Sequence, residues 1–213
     1  FAQDRARDLP QHTPFVSLHA NHPLTGVVNI ESDEETGAYN MVRHLIDQGH
    51  RRILHLTGPR DLLGAQRRIR GYQRALIDCG LEPEDQLLVE AGFTMAEGRR
   101  VTREWLIRSA RQPLPQAIFC VNDHVALGCM EVMAEQGFRI PQDVSVTGFD
   151  DSLAARMSLP QLTTVRQNLR DMGSSAVEAL LNHIEHRKNP SLPVSWGPIV
   201  FPTELVLRSS VAP

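Results

Sequence analysis

The 213-residue chain has no apolar run near the roughly 20 residues a membrane span needs. It also opens without a charged-then-apolar signal segment, so nothing in it points to export. Cysteine is scarce: Cys79, Cys120 and Cys129 are scattered, at neither disulfide nor metal-ligand spacing. They read as reduced core thiols of a cytoplasmic protein. No charge of one sign dominates, and a net charge of −3 argues against this chain by itself gripping nucleic acid, which needs a basic face.

Chemical motifs are missing as well. The chain has no Gly-x-Gly-x-x-Gly, no phosphate-cradling Gly-x-x-x-x-Gly-Lys and no nucleophile elbow. Nine histidines do not fall at metal-ligand spacing, and His183 and His186, three apart, read as an exposed helical pair. A Ser/His/Asp set can be assembled only by arbitrary choice. The chain is not expected to be an enzyme, and no cofactor or metal is expected.

What is present is a repeated pattern. Ala117 to Asp123 and Val144 to Asp151 are each a short apolar run that stops abruptly at polar residues. Such runs read as strands of a sheet covered on both faces. Between them Val125 to Gln136 is a helix candidate closed by Gly137. Strand, helix and strand at this length form a right-handed crossover between parallel strands. Asn122 and Asp150 therefore emerge at one sheet edge, outside the carboxyl ends, where ligands of open α/β sheets bind.

The rest of the chain alternates similarly. Strands are expected near Pro14–Leu18, Val27–Ile30, Arg52–Leu56, Leu87–Glu90, Leu162–Val165, Ile199–Val200 and Leu205–Leu207. Helices are expected from Ser32 or Asp33 to Gln48, and over Gln66–Cys79, Ala96–Ser109 and Asp171–His186. This is an α/β, doubly wound pattern. Phe1 to Gln11 is polar and patternless, which suggests a fragment.

Several segments carry a specific resemblance. They are Gly49-His50-Arg51-Arg52-Ile53, Arg68-Ile69-Arg70-Gly71-Tyr72 and Asn122-Asp123-His124-Val125-Ala126-Leu127-Gly128, followed by the run from Pro141 to Asp151. Pro160 to Gln167 and Glu204 to Ser210 complete the set. In order and spacing they resemble the effector-binding core of the lactose-repressor/galactose-repressor family of bacterial transcription regulators, from about Pro14 onward. The resemblance implies two lobes of the type I periplasmic binding protein-like kind, with doubly wound parallel sheets and an incomplete N-terminal lobe. Residues 1–49 and 168–192 would form that lobe, and residues 50–167 and 193–213 the C-terminal lobe. The family's DNA-binding helix-turn-helix has no counterpart here, so operator DNA would be reached only through a missing N-terminal domain.

The resemblance also implies a small-molecule effector: a sugar or related polyol, phosphorylated or not, or a purine. A hydroxyl-rich ligand needs a donor fork, an acceptor carboxylate, an amide that does both and an aromatic platform. Arg68, Asp150, Asn122 and Phe93 supply these types and match positions lining the family's pocket, with Gln167 at a lobe crossover a fifth candidate. Plainer roles stay open: a cap for Asp150, a turn for Asn122, core for Phe93, an exposed hinge side chain for Gln167. The helix after Asn122 is apolar almost all round, which implies a second partner beyond its sheet. By resemblance, Leu127, Met130, Met157 and Leu159 match positions where the family pairs subunits into a homodimer, unless a neighbouring helix of the same lobe covers them. A periplasmic-type solute receptor for sugar transport shares this fold and is the rival reading.

Overall fold

The computed structural model describes residues 14–20, 27–84, 87–191 and 197–213. The expectation on Phe1 to Gln11 lies outside these residues, while the last crossover, expected near residue 192, falls after Pro202, because Ile199–Phe201 pairs with residues 30–32. The chain divides into two compact units, Phe1–Asp33 with Gln167–Pro202, and Glu34–Arg166 with Thr203–Pro213.

The first unit holds β1 (Ser17–Leu18), β2 (Asn29–Ser32) and β8 (Ile199–Phe201) in a parallel sheet of order β1-β2-β8. Helix α6 (Leu169–Lys188) packs on it, with Val28, Ile30, Met172 and Ala176 as the common core. The hydroxyl of Ser32 donates to the Met172 thioether at 3.2 Å, so the one polar side chain of β2's end is satisfied inside. The expected exposure of the His183–His186 pair needs correcting, because His183 is only 4% exposed. It lies seven positions beyond Ala176, two helical turns along the same inward stripe.

The second unit is built on a parallel four-stranded sheet of order β4-β3-β5-β6: β4 is Leu88–Glu90, β3 Ile53–Thr57, β5 Ala117–Cys120 and β6 Ser145–Thr147. Alternation along the strands divides the core in two. Ile53, Ala117 and Phe119 face helices α1 (Glu34–Asp47) and α2 (Leu63–Asp78). Leu54, Leu56, Ile118 and Cys120 face helices α3 (Met95–Arg108) and α4 (Asp123–Glu135). This is the doubly wound α/β arrangement expected from the sequence. Among the described residues no helix is long and apolar enough to cross a membrane.

The division between units departs from the expected one at Gly49. Helix α1 belongs to the second unit, because it packs backbone to backbone on α2. A Cβ on Gly71 would come within 2.8 Å of the Tyr39 nitrogen and 2.9 Å of the Ala38 side chain. That contact depends on residues distant in sequence, so strand-helix order alone gives the wrong boundary. Two further elements complete the unit: a short helix α5 (Leu153–Met157), where a loop was expected, and a pair of strands, β7 (Thr164–Gln167) with β9 (Thr203–Val206). Ser152 starts α5 by accepting from the Ala155 amide at 3.2 Å.

Candidate functional site

Four of the five candidate ligand residues stand at the carboxyl edge of the second unit's sheet. Asn122 follows β5 and caps α4, its Oδ1 accepting from the Val125 amide at 2.8 Å. Its Nδ2 donates to the Phe93 carbonyl at 2.9 Å. It is thus the N-cap of α4, where the sequence had left a turn role open, and one N–H of its amide stays uncommitted. Phe93 lies between β4 and α3 and is 39% exposed, so it is not core. Its amide, like that of Thr94, donates to Glu97, which closes a capping box at the start of α3. Gly58, just past β3, lets the Phe93 ring lie flat against the backbone: a Cβ there would be 2.8 Å from ring atoms.

Arg68 joins the two strand ends. It sits in the second turn of α2 and is buried, at 7% exposure. One guanidinium nitrogen donates to the Val121 carbonyl, immediately before Asn122. The guanidinium carbon lies 4.0 Å from the centroid of the Phe149 ring, immediately before Asp150. The other terminal nitrogen donates to Glu34 Oε1 at 2.7 Å, in an ion pair buried on both sides. Sequence reasoning missed Glu34. An acidic residue in a first helical turn ordinarily serves the helix dipole from the surface, and only the packing of α1 on α2 turns it inward.

Asp150 is half-buried, and its amide donates to the Val165 carbonyl at 2.7 Å. Asp150 and Asp151 adopt positive φ, 117° and 55°, a backbone state that side chains with a Cβ rarely take. Asp151 holds it. Its carboxylate is buried and accepts from Arg156 at 2.7 Å, Arg166 at 2.8 Å, and Arg208. Burial alone would push its pKa up, but the hydrogen bonds from Arg208, Arg166 and Arg156 outweigh it and the pKa falls. Below it Asp123 is fully buried, accepting from the Thr164 hydroxyl and the Ser152 amide, each at 2.6 Å. Burial raises its pKa despite those bonds. Gln167, the fifth candidate, is the last residue of β7, where the chain passes into the first unit.

Among the described residues no group of His, Cys, Asp and Glu is arranged to hold a metal ion. The edge therefore offers hydrogen-bond donors and acceptors, an aromatic face and a buried ion pair. These suit reversible binding of a polar small molecule.

A family model, described as the periplasmic binding protein-like domain, matches residues 42–211. The chain belongs to that family. Its relatives are transcription regulators of the lactose-repressor type. The ribose operon repressor of Haemophilus influenzae is 37% identical over 175 residues, 82% of this chain and 50% of that protein. A LacI transcriptional regulator from a Rhodococcus species superposes with a TM-score of 0.86 at 29% identity, covering 100% of this chain and 75% of that one. A LacI-family regulator from Enterococcus faecium with bound ribose gives a TM-score of 0.82 at 25% identity, covering 94% and 71%. The chain spans about half the length of the curated relatives it matches, from 50% to 58% of the first three.

The four residues expected to pair subunits do not share one environment. Met130 is core of its own unit at 6% exposure, and Leu127 is half-buried against the same core. Met157 and Leu159 are 74% and 93% exposed. The apolar circumference of α4 is largely covered within its own unit by the sheet and by α3 and α5, the alternative that the sequence left open. What remains open is a groove of about 670 Å³ beside α4 and α5, lined by Leu127, Met130, Met157 and Leu159 among others.

Proposed function

We propose that this chain is the effector-sensing part of a bacterial transcription regulator acting in the cytoplasm. It holds a sugar or related polyol through Arg68, Asn122 and Asp150 with Phe93 as platform. The reading is supported by Arg68, which bonds the backbone just before Asn122 and packs on the Phe149 ring just before Asp150, and by the bond from Asn122 to the Phe93 carbonyl, in a family whose relatives here are repressors. The ribose named for two of the relatives supports the sugar class. Because the relatives are regulators, the transport-receptor alternative is the weaker one.

In this reading a homodimer forms about the groove beside α4 and α5, a second copy covering Met157 and Leu159. A biological interface of this kind buries more than roughly 1,000 Å² in total. Operator DNA is read by a separate N-terminal domain, and effector binding shifts operator affinity by a coupling of roughly 1–3 kcal/mol. The test is a thermal-shift screen of sugars and nucleosides on the full-length protein, since a ligand of the folded state raises its stability by mass action. Asp150→Ala removes one charged hydrogen-bond acceptor, on the order of 1.5–3 kcal/mol, so affinity should fall by more than about tenfold with folding retained. Binding within threefold of the parent would remove Asp150 from the site.

A further inference from the structure

Helix α2 begins at the same sheet edge, and its start is bare. Leu62, at the N-cap, offers no side-chain hydrogen bond, and the first turn carries no acidic residue. The first amides of a 16-residue helix are thus left without a cap from within it. Such an end, with a guanidinium one turn further on, is where α/β proteins hold a ligand's phosphate or carboxylate. Here the place is taken. Both carboxylate oxygens of Glu34 lie 3.0 Å from where a Cβ on Gly64 would stand, against that first turn. The same carboxylate bonds Arg68 at 2.7 Å and is shut away from solvent, Glu34 being 3% exposed. Gly64 makes the room: even a Cβ there would force the carboxylate to shift. The Arg68 Nε is buried with no hydrogen-bond partner among the described residues, so the guanidinium keeps donor capacity beyond its ion pair.

We infer that Glu34 is a built-in anion that restricts the site to uncharged, hydroxyl-rich effectors and rejects their phosphorylated or carboxylated forms. This rests on the effector-sensing reading above and narrows it. A phosphate brought to Arg68 would stand a few ångströms from a fixed, desolvated carboxylate. Like-charge repulsion at that range, with the intermediate screening of a partly buried site, weakens binding on the order of a hundredfold. A neutral hydroxyl meets no such penalty and can accept from the guanidinium while donating to Asp150. Glu34 would thus act as a specificity determinant through Arg68 rather than by touching ligand.

Isothermal titration of the full-length protein tests this with matched pairs: ribose, glucose, cytidine and adenosine, each against its monophosphate ester, with inorganic phosphate alone as control. The expected result is that one neutral compound binds and its ester binds at least about a hundredfold more weakly, with no heat from inorganic phosphate. Glu34→Gln keeps the shape and removes the charge, so it should narrow that preference at least tenfold. An ester that binds as well as its parent sugar overturns the inference, as does a preference left unchanged by Glu34→Gln. Should that variant fail to fold, the ester and phosphate titrations of the unaltered protein decide the matter alone. If no member of any pair binds, the effector-sensing reading itself falls and takes this inference with it.

Discussion

Replacing Asp151 by asparagine should be among the most damaging single changes near the candidate site, although the shape of the side chain is preserved. Its carboxylate is about 1% exposed, against 11% for the Arg208 side chain, 43% for Arg166 and 54% for Arg156. The two outer arginines can rehydrate, and Arg166 keeps Glu204 at 3.1 Å, so each loses no more than about 1 kcal/mol. Arg208 is different. Its side chain is only 11% exposed, and loss of a buried partner costs roughly 3–5 kcal/mol. Its remaining bond to the Leu162 carbonyl at 2.7 Å places it at the lower end. Asp151→Asn should therefore cost about 3 kcal/mol at neutral pH, or roughly 6–12 °C in Tm for a chain of this size. The sign of the pH effect follows from the lowered pKa of Asp151. A carboxylate depressed in the folded state stabilises above its unfolded pKa of about 3.9 and loses that contribution as pH falls through the folded value. Urea unfolding of parent and variant at pH 7 and in strong acid measures both effects. A deficit under about 1 kcal/mol at pH 7, or one that persists undiminished once the parent's Asp151 is protonated in both folded and unfolded states, would refute the reasoning. Because Asp151 fixes the positive-φ backbone that presents Asp150, effector affinity should weaken as well.

Two other predictions concern stability and assembly. His55 is fully buried on β3, stacked on Phe119 at 4.6 Å, and burial lowers its pKa to about 4. The unfolded chain takes up that proton near pH 6.5, so stability should fall by about 1.4 kcal/mol for each unit the pH drops below that, until near pH 4. His55→Asn should flatten the slope in urea melts, while His44 and His50, also lowered by burial, keep part of it. Leu159→Asp places a charge on a 93%-exposed leucine at the rim of the groove. It should convert a dimer to monomer in sedimentation equilibrium without lowering Tm, and an unchanged mass would remove this face from the interface.

Much of the fold was legible from periodicity. Short apolar runs ending at Asn122 and Asp150, with an intervening helix-length segment, are enough to order parallel strands and to mark their carboxyl edge, because crossover handedness is fixed by chain chirality. The helix stop at Gly137 was an equally local signal, whereas capping by Asn122 showed only in the structure. Three things were decided only by tertiary packing. Helix α1 joined the second unit because Gly71 lets two helix backbones touch, a contact between positions over thirty residues apart. For the same reason Glu34 became a buried counter-ion to Arg68 rather than a surface charge. Asp151 became the meeting point of three arginines from separate elements, Arg156, Arg166 and Arg208, which no local pattern pairs with it. Sequence spacing determines which side chains share a strand end or a helix face, since those repeats are properties of the backbone. Which charges are buried against one another depends on the approach of elements remote in the chain, and only the folded structure sets that.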